Sequence, residues 1–183
     1  MSGDIIIATI EDREVRAALT KLAAKVGTPQ RLLDRIGSFY TKSVRENFDA
    51  GKSPDGETWK PLAATTMMTG LAAKKGFSKK GGLSAKGKRY LQGKKVLIAS
   101  HDLMDHVQHQ ADNAGLVVGV AGGRQAIPYA AIHQFGGFAG RGRKVKIPAR
   151  PYLAVNDFTG SGMRLADKDK KMILELIWEW LNQ

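Results

Sequence analysis

Side chains that can bind metal ions are concentrated in one short segment of the chain. They are His101, Asp102, Asp105, His106 and His109. Imidazole and carboxylate groups in such a cluster suit a divalent transition metal. The segment has the composition of a β-strand, in which His106 and His109 point to opposite faces. We therefore interpret the cluster as polar side chains at a strand start and predict no metal site. A helical conformation, which would bring these two histidines together, is the alternative.

His133 is the candidate general base. A catalytic histidine needs a carboxylate to orient it and a nucleophile to activate, but no Asp or Glu lies between Asn113 and Asn156. A carboxylate from a distant part of the fold is the catalytic alternative. We interpret His133 instead as hydrogen-bonded to backbone at a helix end, because Gly136 and Gly137 can supply the positive φ that commonly stops a helix.

Two other kinds of chemistry are excluded by residue type. Gly51, Lys52 and Ser53 match the end of a phosphate-binding loop, but Glu46 stands where its first glycine is required. The chain has no cysteine, which excludes disulfides, thiolate metal sites and a cysteine nucleophile. The sequence therefore predicts neither an enzyme nor a cofactor.

Positive charge is confined to two glycine-rich segments. The chain has 29 basic and 17 acidic residues, a net charge of +12. Residues 70–95 contain nine of the basic residues and 139–150 contain five, with no acid in either. The rest of the chain is nearly neutral, so these segments are predicted to contact an anionic partner. The predicted contact residues are Lys74, Lys75, Lys79, Lys80, Lys86, Lys88, Arg89, Arg141, Arg143, Lys144 and Lys146.

The partner of the lysine-rich segment has two interpretations. Lysines on a flexible loop bind phosphates as point charges, which gives salt-sensitive DNA binding without sequence preference. The same loop can instead order against an acidic face of a neighbouring protein during assembly. Its only aromatic residues are Phe77 and Tyr90, so a stacking platform for single strands is not predicted.

The hydrophobic pattern predicts the elements that position these residues. They are a strand at Asp4–Ile10, helices at Glu11–Val26, Pro29–Phe48 and Asp167–Gln183, a hairpin of Asp105–Ala111 and Leu116–Ala121 turning at Asp112–Gly115, and an edge strand at Lys144–Ile147. The second helix has Leu32, Ile36, Tyr40, Val44 and Phe48 on one face. The last helix places Ile173, Leu174, Ile177, Trp178 and Leu181 on its buried side and Trp180 off it.

The remaining segments are predicted to be loops. Asp49–Leu62 combines turn residues with one large side chain, Trp59. Residues 70–95 have too few large apolar side chains to offset the entropy of ordering, which predicts a mobile basic loop. The prediction is one α+β domain over 1–183: a small antiparallel sheet packed with N-terminal helices and a C-terminal helix, with the basic loop 70–95 and a basic arm at 139–150. No apolar run reaches the roughly 18 residues of a membrane span, so no membrane contact is predicted.

The order of several motifs resembles a known family. Pro54-Asp55-Gly56 with Trp59 comes first, then Tyr129-Ala130 with His133-Gln134-Phe135-Gly136, and then Pro148–Leu153 ahead of the last helix. From about Leu32 to Leu181 this order resembles the tailed-bacteriophage virion morphogenesis family, which includes tail-completion proteins and the morphogenesis protein of Mu-like phages.

The resemblance implies a non-catalytic structural subunit. It would complete or terminate the tail, or form a ring at the head-to-tail neck, as a closed ring of identical copies, six being expected. Its partners would be the tail tube, the neck or connector proteins and the DNA backbone in the channel. It would reside in the virion, and in the host cytoplasm during assembly. The residues assigned to the assembly motif are Pro54, Asp55, Gly56, Trp59, Tyr129, His133, Gln134, Phe135, Gly136, Arg150 and Tyr152.

Overall fold

The structure, a computed structural model, describes residues 13–26, 29–121, 126–155 and 165–182. Within these ranges the fold is α+β, as predicted, with seven α-helices and two antiparallel sheets of two strands each. The predicted strand at Asp4–Ile10 lies outside the described residues. The elements are α1 Arg13–Val26, α2 Gln30–Ala50, α3 Ala64–Ala73, α4 Ala85–Gly93, α5 Asp102–Asp105, β1 Val107–Ala111, β2 Leu116–Val120, α6 Ala126–Phe135, β3 Gly137–Ala139, β4 Val145–Ile147 and α7 Asp167–Leu181.

The long helix α2 lies at the centre of the core. Its predicted face is confirmed, since Leu32, Ile36, Tyr40, Val44 and Phe48 are all buried. Apolar residues at every fourth position form one stripe on a helix, and this stripe contacts both α7 and the β1–β2 hairpin. The helix ends at Gly51, whose φ of 65° is left-handed and is favoured by glycine.

The β1–β2 hairpin packs across α2. Val107 pairs with Val120 and Ala111 with Leu116, and the predicted turn is confirmed. The Asp112 carboxylate accepts hydrogen bonds from the Ala114 and Gly115 amides at 2.7 and 2.9 Å. The first strand begins two residues later than predicted, because residues 102–105 form the short helix α5.

The histidines of the candidate metal cluster engage separate partners. His106 Nδ1 lies 2.6 Å from the carbonyl oxygen of Asp102. His109 faces α2, with Nε2 3.1 Å from Asp34 Oδ1 and Nδ1 3.3 Å from Thr41 Oγ1. Over the described ranges, no three His, Asp or Glu side chains are grouped so as to hold a metal ion.

The C-terminal helix α7 packs against α1 and α2. Its inner face carries Ile173 and Ile177, with Trp180 partly buried against the core, whereas Trp178 is 69% exposed. The prediction for the two tryptophans is therefore wrong. Trp178 follows Ile177 by one residue, a rotation of about 100°, which turns it away from the core.

A buried carboxyl group occupies the first turn of α7. Asp169 is buried and accepts a 2.6 Å hydrogen bond from Ser43 Oγ of α2. Burial raises the pKa of Asp169, and the Ser43 hydrogen bond opposes that rise. The polar Asp169–Ser43 pair thus joins the two helices at a position where the hydrophobic pattern predicts no contact.

The lysine-rich segment contains secondary structure, so the prediction of a loop throughout 70–95 is wrong. The end of α3, a bridge between Phe77 and Leu83, and α4 occupy it. Ser84 Oγ caps α4 by accepting from the Gly87 amide at 3.1 Å. Gly87 packs so closely on Gly76 that a Cβ there would overlap the Gly76 carbonyl. The glycines therefore allow two backbones to touch. Residues 64–93 form the α3–α4 unit. Movement of this unit relative to the rest of the described fold stays a prediction.

The basic arm 139–150 contains the predicted edge strand. Strand β4 pairs antiparallel with β3, with Gly137 opposite Ile147 and Ala139 opposite Val145. Gly136, with φ 75°, ends α6, as predicted. The chain then enters β3, a strand that the sequence analysis did not predict. Among the described helices, none is long and apolar enough to cross a bilayer.

Candidate assembly site

The loop that contains Pro54, Asp55 and Gly56 leads to Trp59, which contacts the chain at Pro151. Gly56, with φ 86°, completes a turn in which its amide donates to the Ser53 carbonyl at 2.9 Å. This turn delivers Trp59 to the core, where the indole Nε1 donates to the Pro151 carbonyl at 2.8 Å. The Trp59 ring also meets Phe48 edge-on, with the ring centroids 5.5 Å apart.

Gln134 of α6 binds the backbone of the neighbouring segment in the interior. Its Oε1 accepts from the amides of Tyr152 and Leu153 at 2.9 and 3.0 Å. Its Nε2 donates to the carbonyls of Leu153 and Val155 at 2.7 and 3.3 Å. The side chain is 1% exposed. One amide side chain thus satisfies backbone groups of an irregular segment that belongs to neither described sheet.

Arg150 joins the same two regions through its guanidinium. It is 4% exposed, and its Nε and Nη2 donate to the carbonyls of Lys60 and Pro61 at 2.8 and 3.0 Å. Its backbone amide donates to the His133 carbonyl at 2.7 Å. In the described part of the chain, no carboxylate forms an ion pair with Arg150. The side-chain hydrogen bonds of this buried cation to described residues therefore all go to carbonyl oxygens.

The structure places five of the eleven predicted motif residues inside the protein. Pro54, Trp59, Gln134, Arg150 and Tyr152 are buried. Hydrogen bonds of Trp59, Gln134 and Arg150 hold three chain segments together, so these side chains do not form a contact surface in this conformation. The remaining motif residues reach the surface to different degrees: Asp55 and Gly56 are exposed, and Tyr129, His133, Phe135 and Gly136 are half-buried. Their contact with another subunit stays a prediction.

A cavity of about 560 Å³ lies beside His133. Leu62, Leu97, Leu103 and Tyr129 contribute to its walls, and Lys94, Lys95 and Arg150 give it positive charge. Sequence reasoning missed this cavity because its lining comes from segments that are far apart in the chain. The pattern of a single segment carries no signal for such a site.

The His133 ring does not form the predicted hydrogen bond to backbone. Nδ1 is buried and has no hydrogen-bond partner among the described residues, so that prediction is wrong. Burial lowers the pKa of His133, and nearby Arg150 lowers it further. Asp102 lines the same cavity but accepts a 2.6 Å hydrogen bond from Ser100 Oγ. Among the residues that the structure describes, no carboxylate orients this neutral imidazole, which does not favour a general base.

Two cationic surfaces lie outside this cluster. On the α3–α4 unit, the seven predicted contact residues from Lys74 to Arg89 are all exposed. None of the seven forms an ion pair within the described ranges. On the β3–β4 hairpin, Arg141, Arg143, Lys144 and Lys146 are exposed beside the apolar Phe138 and Val145. The free positive charge predicted from composition is therefore present at the surface.

Comparison with known proteins explains why these motifs occur together. The sequence model of the phage virion morphogenesis family matches residues 10–182. The chain belongs to the phage virion morphogenesis family. It is also similar to the Mu-like prophage FluMu G protein 2 of Haemophilus influenzae, with 33% identity over 170 residues that cover 93% of this chain and 91% of that protein. No solved structure matches the chain.

Family membership confirms the resemblance predicted from the motif order. The match includes the α3–α4 unit and the buried motif cluster as well as both terminal helices. The assignment therefore applies to the whole described fold and does not rest on one short motif. It supports a structural or morphogenetic role in a phage particle.

Proposed function

We propose that this protein is a non-catalytic structural subunit that completes or terminates a phage tail, or joins the tail to the head. The observation that carries the proposal is family membership over residues 10–182. The contacts of the buried polar side chains agree with a non-catalytic role. Gln134 and Arg150 are engaged with backbone inside the protein, and within the described ranges no carboxylate hydrogen-bonds to the His133 ring. The positive charge of the α3–α4 unit is left free at the surface for partners.

The subunit acts as a closed ring of identical copies, with six copies proposed. Closed rings form when one patch of each subunit binds a different patch of the next. The tail tube and neck or connector proteins are the proposed partners at the two ends of this ring. The virion is its proposed location, and the host cytoplasm is where it assembles.

The test is to image phage particles produced without the protein. We expect heads and tails that are not joined, or tails of abnormal length, together with a loss of infectious titre. Wild-type protein supplied separately should restore both. As a matched control, Ser38→Ala, which alters an exposed side chain on α2 outside the proposed contact surfaces, should restore them as well. Normally joined, infectious particles made in the absence of the protein would overturn the proposal.

A second candidate function is sequence-independent contact with DNA. It is favoured by the seven exposed cations of the α3–α4 unit, since each phosphate neutralised adds about 0.9 to the slope of log affinity against log salt concentration. Replacing all seven by glutamine should therefore lower that slope by about 6 if each contacts a phosphate. The measurement is DNA retention by purified protein from about 50 to 200 mM salt.

The control for this experiment neutralises exposed cations elsewhere. Glutamine at Arg16, Lys21, Arg31 and Lys42, on α1 and α2, should leave the slope nearly unchanged. An unaltered slope in the seven-site variant would eliminate DNA contact through the α3–α4 unit. The cations of that unit would then be assigned to acidic faces of neighbouring proteins.

A further inference from the structure

The outer face of α7 combines an exposed tryptophan with acidic side chains. Trp178 is the most exposed of the large apolar residues in the described ranges. Glu175 lies one turn before it and Glu179 directly after it, both exposed. Both carboxylates have a cationic partner, Glu179 with Arg35 at 3.3 Å and Glu175 with Lys171 at 4.0 Å. These ion pairs are solvent-exposed on both sides and therefore weak, so the two glutamates can exchange them for cations of a partner. Leu174 and Leu181 extend the apolar surface beside Trp178 in a shallow groove. Exposed aromatic surface of this kind marks a protein contact.

The cavity beside His133 is concave and carries mainly positive charge, which complements the glutamates beside Trp178. Its walls include Leu62, Leu97 and Leu103, and its cations Lys94, Lys95 and Arg150 outnumber the single lining carboxylate, Asp102. Lys95 also forms an ion pair with Asp49 at 3.4 Å, which is exposed on both sides and therefore weak. A volume of about 560 Å³ lies within the roughly 300–1,000 Å³ of pockets that hold ligand-sized groups. An indole ring therefore fits inside it. A cationic lining also suits an aromatic ring, because cations are attracted to its face.

The two surfaces belong to different parts of one chain. Helix α7 packs against α1 and α2, whereas the cavity is lined by α5, α6 and the segments 62–66 and 94–100. Trp178 does not line the cavity of its own chain. A contact between these two surfaces therefore joins two copies through unlike patches, which is the contact that a ring requires.

We propose that Trp178 of one copy inserts into the cavity beside His133 of the next copy, with Glu175 and Glu179 facing Lys94 and Lys95. The occupant of the cavity is thus a second copy of this chain. The inference rests on the proposed ring and deepens it by naming both halves of the contact. Charge complementarity of an acidic face with a cationic rim fixes which patches meet.

The test measures the mass of the purified full chain by light scattering and native mass spectrometry. Trp178→Ala should weaken self-association by about 30-fold or more, because buried tryptophans are frequent hot spots of 2 kcal/mol or above. Its circular dichroism should be unchanged, since the side chain is exposed in the monomer. Val117→Ala, which trims another exposed apolar residue on β2, is the matched control and should associate like wild type.

A mixing experiment tests the pairing itself. The double variant Lys94→Glu with Lys95→Glu keeps the tryptophan but reverses the charge of the cavity, and it should not assemble alone. The Trp178→Ala variant has the opposite defect, since it keeps the cavity but lacks the tryptophan. When the two variants are mixed, the altered cavity of the double variant meets only the alanine and forms no contact. The other direction joins an intact cavity to an intact tryptophan. The mixture should therefore yield a one-to-one dimer that grows no further.

The outcomes separate this inference from the proposed ring. An oligomer that persists in Trp178→Ala, or a mixture that forms no dimer, overturns the contact and leaves a ring built through another surface. A wild-type chain that is monomeric at every concentration overturns both the contact and the ring. Loss of assembly in Trp178→Ala together with the one-to-one dimer supports both.

Discussion

Replacing Gln134 by leucine is expected to lower the free energy of unfolding by about 3 kcal/mol or more. Leucine has a similar size but removes all four hydrogen bonds to the backbone of residues 152–155. The amides of Tyr152 and Leu153 are then left in the interior without acceptors, and each orphaned buried group costs about 1–3 kcal/mol. The measurement is the urea midpoint, with the slope m expected to stay constant.

The matched control places the same substitution on the surface. Gln92 lies on α4 and is exposed, so Gln92→Leu should change the free energy of unfolding by no more than about 0.5 kcal/mol. Equal midpoints for the two variants would show that the segment 152–155 is held by its apolar side chains alone. In that case the hydrogen bonds of Gln134 would not stabilise the monomer, and the presence of Gln134 in the motif would need another explanation.

Regularly spaced residues made part of the fold predictable. The α2 stripe from Leu32 to Phe48 repeats every four residues, and only one face of a helix can collect such a set. The turn after β1 was predictable because Asp112 can bind the following amides with its own side chain. Gly136 likewise indicated the end of α6, because glycine readily adopts the positive φ at which a helix ends, and its φ is 75°. Each of these signals is local in the sequence.

Elements that depend on distant contacts could not be predicted in this way. The glycines of 70–95 suggested flexibility, but Gly76 and Gly87 instead let two segments touch. Composition counts such glycines without revealing whether their backbones meet. The placement of Trp178 failed for a related reason. Ile173 and Ile177 were placed correctly on the buried face of α7, but hydrophobicity alone does not show which of the two tryptophans, Trp178 or Trp180, packs against the core.

The candidate site was recognised by residue order, but its physical role was not. Trp59, Gln134 and Arg150 were identified as motif residues from their positions in the sequence. Their burial depends on the meeting of the 51–61 loop, α6 and the 148–155 segment, which are far apart in the chain. The cavity next to them has the same origin. Motif order therefore indicated a shared family, whereas only tertiary contacts distinguish a framework residue from a surface one.

The core tryptophan should have the other large effect on stability. Trp59→Ala is expected to destabilise the protein by about 3–5 kcal/mol, the usual cost of truncating a buried aromatic residue. The ring is packed against Phe48, and the indole N–H binds the Pro151 carbonyl at 2.8 Å. Trp59→Phe keeps an aromatic ring in this position but loses that hydrogen bond, so its cost should be smaller. Chemical denaturation of both variants gives the comparison.

Trp178→Ala is the matched control, because it removes the same side chain from the surface of the same protein. It should leave the free energy of unfolding within about 0.5 kcal/mol of wild type while weakening association. Trp59→Ala should instead reduce assembly only through loss of folded protein, and lowering the temperature should restore part of it. If both variants destabilised the monomer equally, Trp178 would be a core residue and the proposed contact would be lost. The contrast between the two tryptophans therefore separates residues that build the subunit from residues that join subunits.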